Sequence, residues 1–216
     1  MFTVGEVLNG AWEKFKANAG PFVLGALIVV FVPLVVQILM MIVMAVVAGQ
    51  ANSMVVSLLM NLVVYAVILV LQALLFSGYI KMSSKALRGE TPVVGDMFSQ
   101  SDKLIQATIT MVITYLLTFI GSILLIIPGI LVFMLLSMSL WYVVDKELDA
   151  ITAIKASIEA TKGALLPIFL YGLVLFLLSI PATCTIIGFV ILYPVAFLSW
   201  GLIYMALDKG AEQAAI

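Results

Sequence analysis

Residues 20–48 read GPFVLGALIVVFVPLVVQILMMIVMAVVA, and this run decides the fold. It contains no Asp, Glu, Lys or Arg, and its one strongly polar side chain is Gln37. A helix crosses the roughly 30 Å hydrocarbon core of a bilayer with about 20 predominantly apolar residues, so the run is long enough to span. It also opens a pattern. Residues 17–80, 104–144 and 163–207 carry no charged residue, and these gaps hold 64, 41 and 45 residues. Each accommodates two spans and little else.

Composition agrees. The chain of 216 residues is 65% hydrophobic and 10% charged, against about 25% charged for a soluble domain. A net charge of -1 supplies no basic field to attract nucleic acid. The N-terminus does not read as a signal peptide, because acids and a Trp precede the first apolar run. Histidine is absent, which removes the usual general base and a common metal ligand. A single cysteine, Cys184, cannot close an internal disulfide; it reads as a small apolar filler.

These features predict an all-α integral membrane protein with six transmembrane helices, over about 20–48, 54–80, 104–120, 124–144, 164–180 and 186–207. The breaks between paired helices are short and uncharged: Gly49-Gln50-Ala51-Asn52-Ser53, Gly121-Ser122, and Pro181 to Thr185. All ten Lys and Arg lie outside the gaps. The positive-inside rule places those segments, and both termini, in the cytoplasm. Trp12, Trp141, Trp200, Tyr79, Tyr142 and Tyr204 fall near the same face and suggest an interfacial aromatic belt.

The chain repeats itself. Val4-Gly5-Glu6-Val7-Leu8 is echoed by Val94-Gly95-Asp96-Met97-Phe98, and Glu13-x-x-Lys16-x4-Pro21 by Glu159-x-x-Lys162-x4-Pro167. One six-span domain then consists of three parallel hairpin units, approximately 1–90, 91–148 and 149–216. Amphipathic interfacial helices lead two of them on the cytoplasmic face. In the first, Thr3 and Glu6 have capping-box spacing, and Val4, Val7, Leu8, Ala11, Trp12 and Phe15 fall on one face. In the second, Asp149 is a good N-cap, and Ile151, Ile154 and Ile158 form the stripe.

Within the spans no ionisable acid or base occurs, which argues against proton coupling through a buried acid. Walker sequences, zinc-ligand pairs and nucleophile elbows are missing, so no enzyme chemistry and no cofactor are expected. The most polar intramembrane face is Asn61, Tyr65 and Gln72 at spacings of four and seven, with Gln37 able to meet it. It serves either interhelical hydrogen bonding or the lining of a path. Pro33, Pro128 and Pro194 sit within spans, and Pro128-Gly129 is placed to unwind the start of the fourth. The first two spans are longer than the others, so the first hairpin must tilt or project, with its excess on the outer side.

Several stretches resemble a bacterial group: Ile127-Pro128-Gly129 through Trp141-Tyr142-Val143-Val144, then Ala153-Ile154-Lys155-Ala156-Ser157, Thr161-Lys162-Gly163, and Trp12-x2-Phe15-Lys16-x-Asn18. That group comprises six-span proteins without an assigned activity and the membrane domain attached to some glycerophosphoryl diester phosphodiesterases. The resemblance implies a protein of the bacterial cytoplasmic (inner) membrane. It brings no catalysis, since the soluble phosphodiesterase domain has no counterpart here. Mitochondrial carriers also use three two-span repeats, but their Pro-x-acid-x-x-base signature is absent. The expected role is a non-enzymatic accessory or scaffold subunit, or a lipid-associated module. Its partners would be membrane lipids and other membrane subunits or further copies of itself. The alternative is a transporter or channel for a neutral or amphipathic solute.

Overall fold

A computed structural model describes residues 2–51 and 54–214. Among the described residues nine α-helices follow in order: α1 (Val4–Ala17), α2 (Ala19–Ala51), α3 (Met54–Leu87), α4 (Leu104–Leu124), α5 (Ile126–Leu136), α6 (Ser139–Asp145), α7 (Ala150–Thr161), α8 (Leu165–Thr183) and α9 (Ile186–Ala214). Two 3-10 turns, Val94–Phe98 and Ser101–Lys103, lie between α3 and α4. No strand occurs among the described residues. Six helical stretches are long and apolar enough to cross a membrane: Ala19–Val46, Met54–Leu87, Val94–Leu124, Ile126–Asp145, Leu165–Thr183 and Val190–Asp208. Only a helix or a closed barrel satisfies every backbone N–H and C=O without water, which is why such apolar runs settle as helices.

The helix ends explain themselves locally. The Thr3 hydroxyl accepts from the Glu6 N–H at 3.3 Å while the Glu6 carboxylate accepts from the Thr3 N–H at 3.1 Å, so α1 starts with the expected capping box. The echoed segment repeats half of this device, since Asp96 accepts from the Val93 N–H at 2.9 Å. Asp149 caps α7, accepting from the Ile151 and Thr152 N–H groups. Thr185 caps α9 by accepting from the Gly188 N–H.

Three boundaries differ from the sequence expectation. The second break falls at Leu125, whose φ -166 and ψ 154 are extended, and not at Gly121-Ser122. Those residues remain helical because α4 and α5 approach most closely there. A Cβ on Gly129 would stand 2.1 Å from Ser122 Oγ and 2.9 Å from Ser122 Cα. Pro128 does not unwind the fourth span. It is the third residue of α5, where the missing N–H has no intrahelical acceptor to lose. The fourth span breaks later, at Ser137-Met138 between α5 and α6. Pro181 lies inside α8, so the third break shrinks to Cys184-Thr185. Cys184 is exposed there and is not core filler. Of the first expected turn, Asn52 and Ser53 lie outside the described residues.

Charged groups from separate parts of the chain meet at one end of the bundle. Arg88 at the end of α3 pairs with Asp145 at the end of α6, and Tyr204 of α9 donates to the same carboxylate at 3.1 Å. Lys146 pairs with Asp208 of α9 at 2.8 Å, Lys85 with Asp96, and Lys103 with Glu147. Below this layer the core is aromatic. The Tyr79 and Phe197 rings lie 4.8 Å apart, Tyr142 and Tyr204 5.0 Å, and Trp141 and Tyr204 5.6 Å. This overturns the expected belt. Tyr79, Trp141, Tyr142 and Tyr204 are buried, Trp200 is partly buried, and only Trp12 is exposed. The returning helices α3, α6 and α9 meet at the bundle axis, and large rings fill the space between them.

Helices α2 and α3 run for 33 and 34 residues, against 21 for α4 and 19 for α8. At 1.5 Å per residue the first two are about 50 Å long and the others about 30 Å. Beyond the buried Pro33, no residue of α2 as far as Val46 is buried, and on α3 burial begins only at Val64. The excess of the first hairpin therefore lies at the end away from the charged layer. At the charged end α3 is fixed tightly. Gly78 lies so close to the first 3-10 turn that a Cβ there would stand 1.8 Å from the Met97 carbonyl oxygen.

Candidate functional site: an apolar cleft beside a broken span

The break in the fourth span is completed by side chains of α7. The carbonyl of Leu135 would bond the N–H of residue 139 in an unbroken helix. Here it accepts from the Ser157 hydroxyl at 2.7 Å, with Thr161 Oγ1 at 3.2 Å. The same Ser157 oxygen accepts from the Met138 N–H at 3.1 Å. A hydroxyl both donates and accepts, so one serine satisfies both sides of the break. Ser157 and Thr161 are fully buried.

This docking keeps Ile154 of the expected α7 stripe inside but turns Ile151 and Ile158 outward. The buried residues are Ala150, Ala153, Ile154, Ser157 and Thr161, whereas Ile151 is 51% and Ile158 37% exposed. Small residues let the helix approach the broken backbone, and hydroxyls satisfy it; the isoleucines would hold it off. Gln106 of α4 adds a further tie, its side-chain oxygen accepting from the Ala150 N–H at 3.0 Å. The α1 face matches expectation better. Val7, Ala11 and Phe15 are buried against α9, Val4 and Leu8 are partly buried, and Trp12 turns outward with Lys16 5.9 Å from its ring centre.

Beside the break lies a cleft of about 280 Å³. Phe76 and Ile80 of α3 form one wall, Thr110, Met111, Thr114 and Tyr115 of α4 another. Phe133 of α5, Ser137 at the break, Trp141 of α6, and Phe197 and Trp200 of α9 close it. Tyr115 and Phe133, each 48% exposed, flank its mouth on the outer surface of the bundle. The Thr110 and Ser137 hydroxyls donate to the backbone carbonyls of Gln106 and Met134, which leaves the Thr114 and Tyr115 hydroxyls as polar groups in a mostly apolar lining. Thr110 lies seven residues from Lys103, and Ser137 eight from Asp145. At 1.5 Å per residue the cleft sits about 10–12 Å below the charged layer. Across the charged end above it, Lys103 bonds Glu147 and holds that carboxyl below its usual value, with a smaller contribution from Lys81.

The polar face expected from sequence is not this cleft. Asn61 and Tyr65 are exposed, and Gln37 and Gln72 are partly buried. Asn61 donates to the Ser57 carbonyl of its own helix at 2.7 Å, and no hydrogen bond joins the four among the described residues. A side-chain amide facing outward satisfies itself on its own backbone, so helical spacing alone did not assign the face to the interior. The cleft is not legible in the sequence because its residues come from five helices and carry no motif. Comparison with family models, curated proteins and solved structures finds no match for this chain.

Proposed function

We propose that this protein is a multi-pass, non-enzymatic module of a bacterial cytoplasmic membrane, acting as an accessory or scaffold subunit through lipids and neighbouring membrane proteins. Its three hairpin units share one orientation, with both termini and the amphipathic α1 and α7 on the cytoplasmic side. The gathering of the ion pairs at one end supports that orientation through the positive-inside rule. The resemblance to the membrane domain of some glycerophosphoryl diester phosphodiesterases points the same way.

One observation carries the reading: polar groups within the bundle bond the helices to one another. Tyr79 donates to the Phe22 carbonyl, Tyr171 to the Ala196 carbonyl, and Ser157 to Leu135, each joining different helices. The axis between the returning helices is filled with rings. A solute path would need space where these groups stand. The alternative, a transporter for a neutral or amphipathic solute, draws support from the broken fourth span and its cleft, since interrupted helices line binding sites in transporters.

Affinity purification from native membranes in mild detergent, followed by lipid analysis, separates the two. A stoichiometric membrane partner or a retained lipid class is the expected result. Recovery as a lone, lipid-free species that supports solute flux in liposomes would overturn the proposal.

A further inference from the structure

We propose that the cleft between α3, α4, the α5–α6 break and α9 holds a hydrocarbon chain of an anionic phospholipid, whose phosphate sits at Lys81 and Lys103. This rests on the reading of the chain as a membrane module and names its lipid. The exposed residues of the cleft lining, Tyr115 and Phe133, lie on stretches long and apolar enough to cross a membrane, where the surrounding medium is acyl chains. Its depth of about 10–12 Å below the charged layer is the level of the acyl chains in the leaflet nearer that layer. Its lining is mostly apolar, and its Thr110 and Ser137 hydroxyls are already bonded to backbone carbonyls, so it suits a hydrocarbon chain better than a polar solute.

The headgroup end follows from charge. Lys81 points about 100° around α3 from the cleft-lining Ile80, and it lies close enough to Glu147, which bonds Lys103, to act on that carboxyl. Lys103 stands two turns before Thr110 at the start of α4. Glu147 pairs with Lys103, while among the described residues no carboxylate pairs with Lys81. Asp102 precedes Lys103 in a 3-10 turn, where successive residues point about 120° apart. The other cations of this layer have carboxylate partners, Arg88 in Asp145, Lys85 in Asp96 and Lys146 in Asp208. Lys81 thus stands above the cleft with no carboxylate partner among the described residues, complementary to a phosphate diester.

The molecule carries its own reporter. Trp141 lines this cleft and is only 3% exposed, so lipid surrounding the bundle does not reach it. In a Trp12→Phe/Trp200→Phe protein, reconstituted with acyl-brominated phosphatidylglycerol or acyl-brominated phosphatidylcholine, Trp141 fluorescence reads chain occupancy. Saturable quenching is expected with both lipids, at about fivefold lower mole fraction for phosphatidylglycerol, the effect of one lysine near an anionic lipid. Thr114→Phe, which fills the cleft, should abolish quenching, with Thr114→Leu as a milder version. Lys81→Gln/Lys103→Gln should equalise the two lipids. Native mass spectrometry of the unmutated protein provides the same comparison without altering any tryptophan. Absent quenching, equal half-quenching fractions for the two lipids, or quenching indifferent to both cleft-filling variants would each overturn the proposal. Failure here with a co-purifying partner leaves the module reading standing, whereas solute flux removes that reading whatever the fluorescence shows.

Discussion

Replacing Ser157 by Ala tests how the broken fourth span is held. The substitution removes one oxygen and leaves two backbone groups without their partner: the Met138 N–H, 3.1 Å from that oxygen, and the Leu135 carbonyl, 2.7 Å from it. An orphaned buried donor costs about 1–3 kcal/mol. The carbonyl retains Thr161 Oγ1 at 3.2 Å, so its loss is partial. Interhelical hydrogen bonds in membranes average only about 0.6 kcal/mol because the unfolded chain also finds partners in lipid. Combining these, Ser157→Ala should destabilise by about 2 kcal/mol. Thr161→Val orphans no donor and should cost about 0.5–1 kcal/mol. Together the two should exceed their sum, since the Leu135 carbonyl then loses both hydroxyl donors. Denaturation of the detergent-solubilised protein measures the totals, and hydrogen exchange resolves the site, with the Met138 amide losing protection first. An unchanged Met138 amide with a loss below about 0.5 kcal/mol would refute the reasoning, showing that backbone or water substitutes for the hydroxyl.

Four further outcomes follow. Gly78→Ala places a Cβ 1.8 Å from the Met97 carbonyl oxygen and should cost about 1–3 kcal/mol by overpacking, read as a lower melting temperature; an unchanged value would mean that the 3-10 turn yields freely. Arg88→Met leaves the Asp145 side chain, 7% exposed, without its cation and should cost about 2 kcal/mol, below the figure for a fully buried pair because Arg88 is half exposed. Adding Asp145→Asn should recover most of that loss in the same denaturation assay, and no recovery would refute the pairing argument. In intact cells an impermeant maleimide should label native Cys184 from outside but not Glu147→Cys in a Cys184→Ala background, and the reverse pattern would invert the orientation. For Asp149, hydrogen bonds from Thr152 lower the carboxyl's pKa from the ordinary 3.8. Its capping contribution is therefore present above that value and lost as pH falls through the lower folded value; amide exchange at Ile151 and Thr152 should accelerate only in that acid range, and Asp149→Asn should remove the dependence.

Much of this architecture was legible without coordinates. Charge-free runs in the chain can be satisfied only as helices in hydrocarbon, and that argument needs no tertiary information. The α1 cap was readable because a capping box is closed within four residues. The face of α1 was readable because one helix packs against one apolar neighbour, and hydrophobic periodicity reports that arrangement. For α7 the same reasoning held for Ile154 but failed for Ile151 and Ile158. That helix packs against a broken backbone, which selects small residues and hydroxyls, so Ile151 and Ile158 mark the outward face.

The sequence by itself determined the number of spans, the clustering of charge between them and the local caps, because each is set by transfer from water to hydrocarbon or by contacts a few residues apart. Tertiary structure alone decided where the fourth span breaks, which aromatic residues form the core, that Asn61 and Tyr65 face outward, and that five helices enclose a cleft. Inside a bilayer the hydrophobic effect does not distinguish a lipid-facing side chain from one facing another helix. Composition therefore says which residues enter the membrane, while close packing and the satisfaction of interrupted backbone hydrogen bonds decide which of them meet.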